Sequence, residues 1–218
     1  MSKNLHKVNA LKPDLIYEEK LWQTGKLNIC GIDEVGRGPL AGPVMACAVV
    51  FKKGYIHPEV TDSKLLSAKK RQALEKILID AAIDWKIGFA TAAEIDAINI
   101  RQATFLAMHR AINALRIRPD YAIVDGEGLQ NGICPSAGIV KGDQKSFTIA
   151  AASIIAKETR DRLMINLSHI YPAYGFERNK GYGTKEHIKA IIREGASPYH
   201  RKTFLKKIQA MHQELSET

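Results

Sequence analysis

Carboxylates stand at the ends of three predicted strands of this sequence. They are Asp33 with its neighbour Glu34, Asp125 and Asp143. In open α/β sheets the carboxyl ends of the strands border one crevice, so we expect these side chains to converge. Clustered carboxylates repel one another and raise one another's pKa, which favours bound cations. Oxygen ligands select hard ions such as Mg2+ or Mn2+, and two such ions about 4 Å apart can activate a water and stabilise a leaving oxygen in phosphoryl transfer. The pattern indicates a metal-dependent nuclease or phosphotransferase.

Each acid also has a simpler interpretation when it is taken alone. Asp at a strand end is a common turn former and helix cap, so the hypothesis depends on three strand ends together. Successive side chains of a regular strand point to opposite faces of the sheet, so the side chains of Asp33 and Glu34 are expected to point in opposite directions. Both reach one site only if the chain bends at Glu34, and Gly36 and Gly38 favour a bend just after it.

Two glycine-containing loops have the composition of nucleic-acid contacts. Gly36-Arg37-Gly38 exposes bare main-chain groups to a sugar or phosphate, and its guanidinium can fork onto a phosphate. Asn179–Thr184 holds Tyr182 between two glycines, where the ring can stack on a sugar or a base. The alternatives are a plain tight turn for the first loop and a helix-entry loop capped by Thr184 for the second. The second alternative is compatible with binding.

The elements that must position these residues follow from hydrophobic spacing and turn signals. Predicted strands cover residues 27–33, 43–51, 85–91, 121–126 and 138–143, and predicted helices cover residues 68–82, 94–115, 148–167, 185–194 and 202–215. The first two strands form an antiparallel hairpin. The order predicts one mixed α/β domain, residues 27–218, whose helical C-terminal region begins at about residue 180. Residues 1–26 form a leader packed on the domain surface, with one or two helical turns at Leu15–Trp22.

Composition excludes several classes of protein. The 218 residues are 45% hydrophobic and 25% charged, which is ordinary for a globular domain and rules out a disordered, fibrous or coiled-coil chain. No apolar run reaches the ~18 residues that a membrane span needs. The N-terminus lacks the apolar core of a signal peptide. We therefore expect a cytoplasmic monomer that does not contact a membrane.

Cysteine and charge patterns point to a reducing compartment and a polyanionic partner. Cys30, Cys47 and Cys134 are odd in number and widely spaced, so we expect buried or neutral thiols rather than disulfides or a zinc site. The formal net charge is +9, and residues 141–218 hold 14 Lys and Arg against 8 Asp and Glu. This excess favours a nucleic acid as partner, with a basic solvated surface as the alternative.

Several ordered motifs resemble those of the prokaryotic ribonuclease HII family. The resemblance covers residues 27–205. It begins at Gly31–Val44 and ends at Tyr199–Phe204, and the matching segments between them are Asp62–Ser67, Val124–Gly126, Lys141–Ser146, Ala150–Lys157, Thr159–Arg162 and Lys180–Thr184. The resemblance implies a ribonuclease H-like fold, in which a five-stranded mixed sheet is flanked by helices and followed by a helical C-terminal part.

The resemblance also implies a function. It implies cleavage of the RNA strand of RNA–DNA hybrids and incision 5′ of single ribonucleotides in duplex DNA, leaving 5′-phosphate and 3′-hydroxyl ends. Two Mg2+ or Mn2+ ions would be held by the four carboxylates Asp33, Glu34, Asp125 and Asp143. One ion would activate the attacking water, and the other would stabilise the charge on the departing 3′ oxygen.

Substrate contacts are implied in the same way. Gly36-Arg37-Gly38 resembles the loop that senses the ribose 2′-hydroxyl, and Tyr182 resembles the tyrosine that stacks on the deoxyribose after the ribonucleotide. Lysines and arginines of the last third would grip the phosphates of both strands. Asp161 is either an additional acid near the site or a partner of Arg160 or Arg162, and we favour the structural role.

Two other functions compete with this hypothesis. One is a type HIII ribonuclease, which cuts hybrids but not lone ribonucleotides and usually carries an additional N-terminal substrate-binding domain. A 26-residue leader is too short for that domain. The other is a non-catalytic nucleic-acid-binding module. All four acids are present, and a binding module has no use for a repelling acidic cluster.

Overall fold

The computed structural model describes residues 12–206, and its sheet has five strands in the order β3-β2-β1-β4-β5. The strands are β1 Ile29–Val35, β2 Val44–Phe51, β3 Ala82–Ala90, β4 Tyr121–Asp125 and β5 Ser136–Ile139. β1, β2 and β3 pair antiparallel, whereas β4 and β5 run parallel to β1. The mixed five-stranded sheet and the β1–β2 hairpin are therefore confirmed, and β1 and β4 bring the ends that carry Asp33 and Asp125 side by side.

Helices cover both faces of the sheet. The α-helices of the described residues are α1 Ile16–Gln23, α2 Ala68–Ala81, α3 Ala92–Asn113, α4 Phe147–Ile170, α5 Phe176–Asn179 and α6 Lys185–Glu194. α3 packs on one face and α2 with α4 on the other, which is why all eight residues of β2 are buried. The Ala-rich start of α4 approaches β1 closely, since a Cβ on Gly31 would lie 2.5 Å from the carbonyl oxygen of Thr148.

The fifth predicted strand is wrong at its carboxyl end. β5 ends at Ile139, and Gly142–Gln144 form a 3-10 turn. Lys141 has a left-handed conformation with φ 55°, which takes the chain out of the sheet before it reaches Asp143. Asp143 therefore lies on a turn after the strand.

The long helix predicted at residues 94–115 is interrupted. Asn99 has φ 67° and ψ 163°, and its side-chain oxygen accepts a hydrogen bond from the main-chain N–H of Gln102 at 3.1 Å. The Asn side chain thus caps a new helical segment inside α3. The preceding segment begins with a capping box between Thr91 and Glu94.

The N-terminal segment is tied to the start of α4. The helical turns predicted at Leu15–Trp22 are present as α1, and the carboxylate of Glu18 is buried there. Its Oε1 accepts hydrogen bonds from the Ser146 hydroxyl at 2.6 Å and from the Thr148 N–H at 3.1 Å. The domain boundary at residue 26 stays a prediction. Residues 1–11, and residues 207–215 of the last predicted helix, lie outside the described residues.

The three thiols have the neutral character that we expected. Cys30 and Cys47 are buried, Cys134 is half-buried, and all three are free. Burial raises the pKa of each thiol above its usual value. Within residues 12–206, no helix has both the length and the apolar character needed to cross a membrane.

Candidate active site

Asp33 and Glu34 reach one cavity from opposite faces of the sheet. β1 pairs regularly with β2 through Val35, so the chain does not bend at Glu34 itself. It turns just after, at Gly36, where φ is 90°. Glu34 also lines a neighbouring cavity on the α3 side, whereas Ser153 of α4 lines the shared cavity together with Asp33 and lowers the pKa of that carboxyl. The shared cavity, of about 300 Å3, lies across the end of the sheet, so alternating side chains can both line it.

The cavity brings together three of the four predicted carboxylates. Asp125 ends β4 and lines the cavity with Asp33 and Glu34, and its Oδ1 accepts a hydrogen bond from the main-chain N–H of Gly142 at 2.6 Å. Asp143 is buried next to this contact and is not among the lining residues. The Nζ of Lys64 lies 3.2 Å from Asp143 Oδ2.

Burial and mutual repulsion destabilise the charged forms of these acids. Burial raises the pKa of Asp33 well above its usual value, and the charges of Glu34 and Asp125 raise it further. Burial also raises the pKa of Glu34, an effect that Arg37 partly offsets. The pKa of Asp125 is raised by burial, with a smaller contribution from the charge of Asp143. Divalent cations in the cavity would relieve this cost.

The carboxylate oxygens of this cavity are suitable ligands for hard cations, but their side chains do not already surround a position for an ion. Every candidate ligand is a carboxylate, which suits Mg2+ or Mn2+. Across residues 12–206, no group of three or more His, Cys, Asp or Glu side chains is gathered closely enough to hold an ion. A closed ligand shell of Asp33, Glu34 and Asp125 would therefore require these side chains to move, and Asp143 could join it only by leaving Lys64.

The two predicted substrate loops border the same cavity. Gly36, Arg37, Gly38 and Tyr182 all line it, together with the carboxylates. A Cβ on Gly38 would lie 3.8 Å from the Tyr182 ring, so the loops face each other at contact distance. A Cβ on Gly36 would overlap the side chain of Arg160, and its positive φ independently requires glycine.

Two buried arginines hold these loops, a role that was not predicted from the sequence. The Arg160 guanidinium donates to the carbonyl oxygens of Ala41, Pro43 and Lys180 at 2.9–3.1 Å. Arg201 donates to the carbonyl oxygens of Gly36, Arg37 and Gly42 at 2.5–3.0 Å. Burial, with the charge of Arg160 as a second cause, lowers the pKa of Arg201 to about 9. Both arginines lie in segments that resemble the ribonuclease HII motifs, and this was the one feature of the sequence that pointed to them.

Further polar residues line the cavity beyond those predicted. They are Ser63, Lys64, Arg71, Ser153 and Lys157. Lys157 also pairs with Asp161 at 2.7 Å, so the structural role of Asp161 involves Lys157 rather than Arg160 or Arg162. The position of Lys157, four residues before Asp161 on a predicted helix, was a signal for this pair. Basic side chains thus surround the acidic centre.

The architecture is shared with solved ribonucleases H. The ribonuclease H2 from Pyrococcus horikoshii OT3 superposes with a TM-score of 0.72 at 28% sequence identity, covering 86% of this chain and 99% of that chain. Bst-RNase HIII in complex with Mn2+ gives a TM-score of 0.72 at 19% identity, covering 88% of this chain and 72% of that one. The fold and its acidic cavity define a ribonuclease H.

The sequence comparison identifies the type. The sequence model described as Ribonuclease HII matches residues 30–208. The ribonuclease HII of Acholeplasma laidlawii (strain PG-8A) is 49% identical over 191 residues, which is 88% of this chain and 94% of that protein. This chain belongs to the ribonuclease HII family. It is accordingly an enzyme that cleaves the RNA strand of RNA–DNA hybrids.

Proposed function

We propose that this ribonuclease also incises duplex DNA on the 5′ side of a single embedded ribonucleotide, leaving 5′-phosphate and 3′-hydroxyl ends. One observation carries this proposal. A single cavity holds three carboxylates together with Gly36–Gly38 and Tyr182. Groups for hydrolysis and groups that can recognise a sugar therefore meet at the same position of a bound strand.

The glycine loop supplies the recognition of ribose. Gly38 has no side chain that would keep a sugar from the main chain, and the carbonyls of Gly36 and Arg37 are fixed by Arg201. Main-chain groups held in this way can distinguish a 2′-hydroxyl from a hydrogen, which is the difference between RNA and DNA. Tyr182, whose side chain is 44% exposed, offers its ring to the next sugar, so the pair would read the RNA–DNA junction.

Two divalent ions complete the catalytic site in this proposal, held by Asp33, Glu34, Asp125 and Asp143. When bound, they supply an activated water and stabilise the charge on the departing 3′ oxygen. The protein contributes the carboxylate ligands and the surrounding cations. Arg37, Lys64, Arg71 and Lys157 line the cavity and can hold the phosphates on either side of the scissile bond.

The test is a cleavage assay on a labelled DNA duplex with one ribonucleotide, run with Mg2+, with Mn2+ and with EDTA. We expect a metal-dependent cut 5′ of the ribonucleotide and none in an all-DNA duplex. Cleavage of long hybrids alone would indicate type HIII behaviour, and binding without any cleavage would indicate a binding module. Either result would refute the proposal.

Two variants assign the roles. Asp125→Asn removes one ligand charge and should abolish cleavage while substrate affinity stays within a few fold, because binding relies on the loops and the cations. Tyr182→Ala should slow cleavage at a single ribonucleotide. Near-normal cleavage by Asp125→Asn would contradict the metal-site assignment, and equal rates for Tyr182→Ala and wild type would contradict junction reading.

A further inference from the structure

Two histidines are buried side by side behind the loop that carries Tyr182. His187 lies in the first turn of α6, and His200 follows that helix in the chain. Both are almost completely buried, and their Nε2 atoms lie 3.1 Å apart. Neither lines the active-site cavity, so the proposed reaction does not use them directly.

The hydrogen bonds around this pair fix the position of each ring proton. His187 Nδ1 lies 2.8 Å from the carbonyl oxygen of Tyr182, and because a carbonyl only accepts, Nδ1 carries the proton. Nε2 of the neutral His187 ring is then an acceptor, so Nε2 of His200 donates to it. His200 Nδ1 in turn accepts from the N–H and the hydroxyl of Ser197, at 2.9 and 2.8 Å. The result is a directional chain from Ser197 through both rings to the Tyr182 carbonyl.

The surroundings keep both rings neutral and in place. Burial lowers the pKa of both histidines, and the neighbouring His187 lowers that of His200 further, to about 4. Aromatic rings pack against the pair: Tyr174 lies 4.7 Å from His200 and Phe176 lies 5.5 Å from His187, between ring centroids. The Tyr174 hydroxyl donates to the carbonyl of Gly195 and does not compete for either imidazole.

Tyr182 depends on its main chain for orientation. Its side chain is 44% exposed, and Gly38 across the cavity offers no side chain to pack against it. The Tyr182 carbonyl accepts from His187 and from the main-chain N–H of Thr184, at 2.8 Å in each case. His187 is therefore the one buried side chain that donates to this carbonyl among the described residues.

We propose that His187 and His200 are positioning residues that set the direction of the Tyr182 ring and thereby the preference for an RNA–DNA junction over a continuous hybrid. This inference deepens the proposed function and rests on it. Neither histidine lines the cavity, and Thr184 already caps α6, so the hydrogen bond to the Tyr182 carbonyl is the contact through which the pair reaches the site.

The test uses Asn and Gln at both positions, because the two amides imitate different ring nitrogens. The Asn amide lies near the position of Nδ1, and the Gln amide near that of Nε2. His187→Asn keeps a donor for the Tyr182 carbonyl, whereas His187→Gln loses it. His200→Gln keeps the donor toward His187, whereas His200→Asn loses it. The residue that keeps the hydrogen bond is thus Asn at position 187 and Gln at position 200. At each position the two variants are both amides, so they do not differ in polarity.

The measured quantity is the ratio of kcat/KM on a single-ribonucleotide duplex to kcat/KM on a long hybrid. We expect His187→Gln and His200→Asn to lower this ratio about ten-fold, which is the change that a 1.4 kcal/mol difference between transition states produces. His187→Asn and His200→Gln should stay within about three-fold of wild type. Thermal unfolding of each variant separates loss of folded protein from loss of preference, since a ratio does not depend on the folded fraction.

Tyr182→Ala in the same assay distinguishes the junction-reading role of the tyrosine from the positioning role of the histidines. If Tyr182→Ala leaves the ratio unchanged, the junction-reading role of the tyrosine fails. If Tyr182→Ala lowers the ratio while the Asn and Gln variants at each histidine behave alike, the tyrosine role stands and the positioning role of the histidines is overturned. In the Tyr182→Ala background, His187→Gln should have no additional effect on the ratio.

Discussion

The ammonium of Lys64 lies 3.2 Å from the buried Oδ2 of Asp143, so a protein cation already pairs with one of the four proposed metal ligands. The Lys64 side chain is 78% exposed and can move into solvent, whereas Asp143 is fixed inside the domain. Burial lowers the pKa of Lys64, but the charge and hydrogen bond of Asp143 outweigh this, and the pKa is raised overall. A divalent ion that binds Asp143 must compete with this ammonium.

Removing Lys64 should therefore strengthen metal binding. Lys64→Gln takes away the competing charge, and because exposed ion pairs contribute up to about 1 kcal/mol, the dissociation constant for Mn2+ should fall by up to about five-fold. Isothermal titration calorimetry without substrate measures this. Lys64→Arg keeps the charge and should bind Mn2+ as wild type does. Unchanged or weaker Mn2+ binding by Lys64→Gln would show that Lys64 does not compete.

Asp33→Asn should make the metal-free protein more stable while it abolishes cleavage. The raised pKa of Asp33 means that its charge disfavours the folded state at neutral pH. This cost begins to decrease as the pH falls below the raised pKa, and it is gone once the pH lies below the ordinary pKa of an aspartate. Asn carries no charge and keeps the oxygen that accepts the Glu34 N–H at 2.8 Å. In EDTA at pH 7 we expect the melting temperature to rise by about 2–4 °C for each kcal/mol regained. A melting temperature at or below that of wild type would contradict this electrostatic assignment.

The histidine pair predicts a loss of stability in mild acid. The pKa of His200 is about 4 in the folded protein against 6.5 ordinarily, so between these values the unfolded chain binds more protons. The stabilisation that neutral His200 gives the folded state is complete above about pH 6.5. As the pH falls below this value the stabilisation decreases by about 1.4 kcal/mol per pH unit, so that roughly 3 kcal/mol is lost by pH 4. Urea unfolding at several pH values should show a shallower dependence for His200→Gln than for wild type. Identical slopes would mean that His200 does not titrate in this range.

We expect Glu18 of the N-terminal segment to contribute to the free energy of unfolding of the whole domain. Glu18→Ala leaves the Ser146 hydroxyl and the Thr148 N–H without their buried acceptor, which we expect to cost about 2–3 kcal/mol. Glu18→Gln retains an acceptor oxygen and should cost less. The free energy of unfolding in urea measures both. Equal stability of Glu18→Ala and wild type would mean that α1 is not a structural part of the domain.

The sequence predicted the sheet because its strands are buried runs with clear turn signals. Val44–Phe51 is covered on both faces, and its three Val residues and Phe51 favour a strand. The end of β5 was missed because it depends on Lys141, which adopts a left-handed conformation that no local composition rule assigns to lysine. The break at Asn99 was missed for the same reason, although Asn is among the residues that tolerate this conformation.

Three of the four carboxylates that the sequence groups together line one cavity, whereas the geometry of that cavity was not predicted. Strand order brings Asp33 and Asp125 together, and β1 and β4 are neighbours as that reasoning requires. The contact between Lys64 and Asp143 joins residues 79 positions apart, which no periodicity encodes. Arg160 and Arg201 bind main-chain oxygens, so no partner side chain in the sequence indicates where they point.

That last feature bears on how the enzyme's specificity could be redesigned. Because Arg160 and Arg201 donate to main-chain carbonyl oxygens, these contacts with the two substrate loops do not depend on the side chains of Arg37 and Tyr182. Arg37 and Tyr182 can thus be varied while these contacts and the glycines required by positive φ are kept, although replacing Arg37 also removes its ion pair with Glu34. A library confined to these two positions would vary the sugar and phosphate contacts while it leaves the backbone that presents them unchanged.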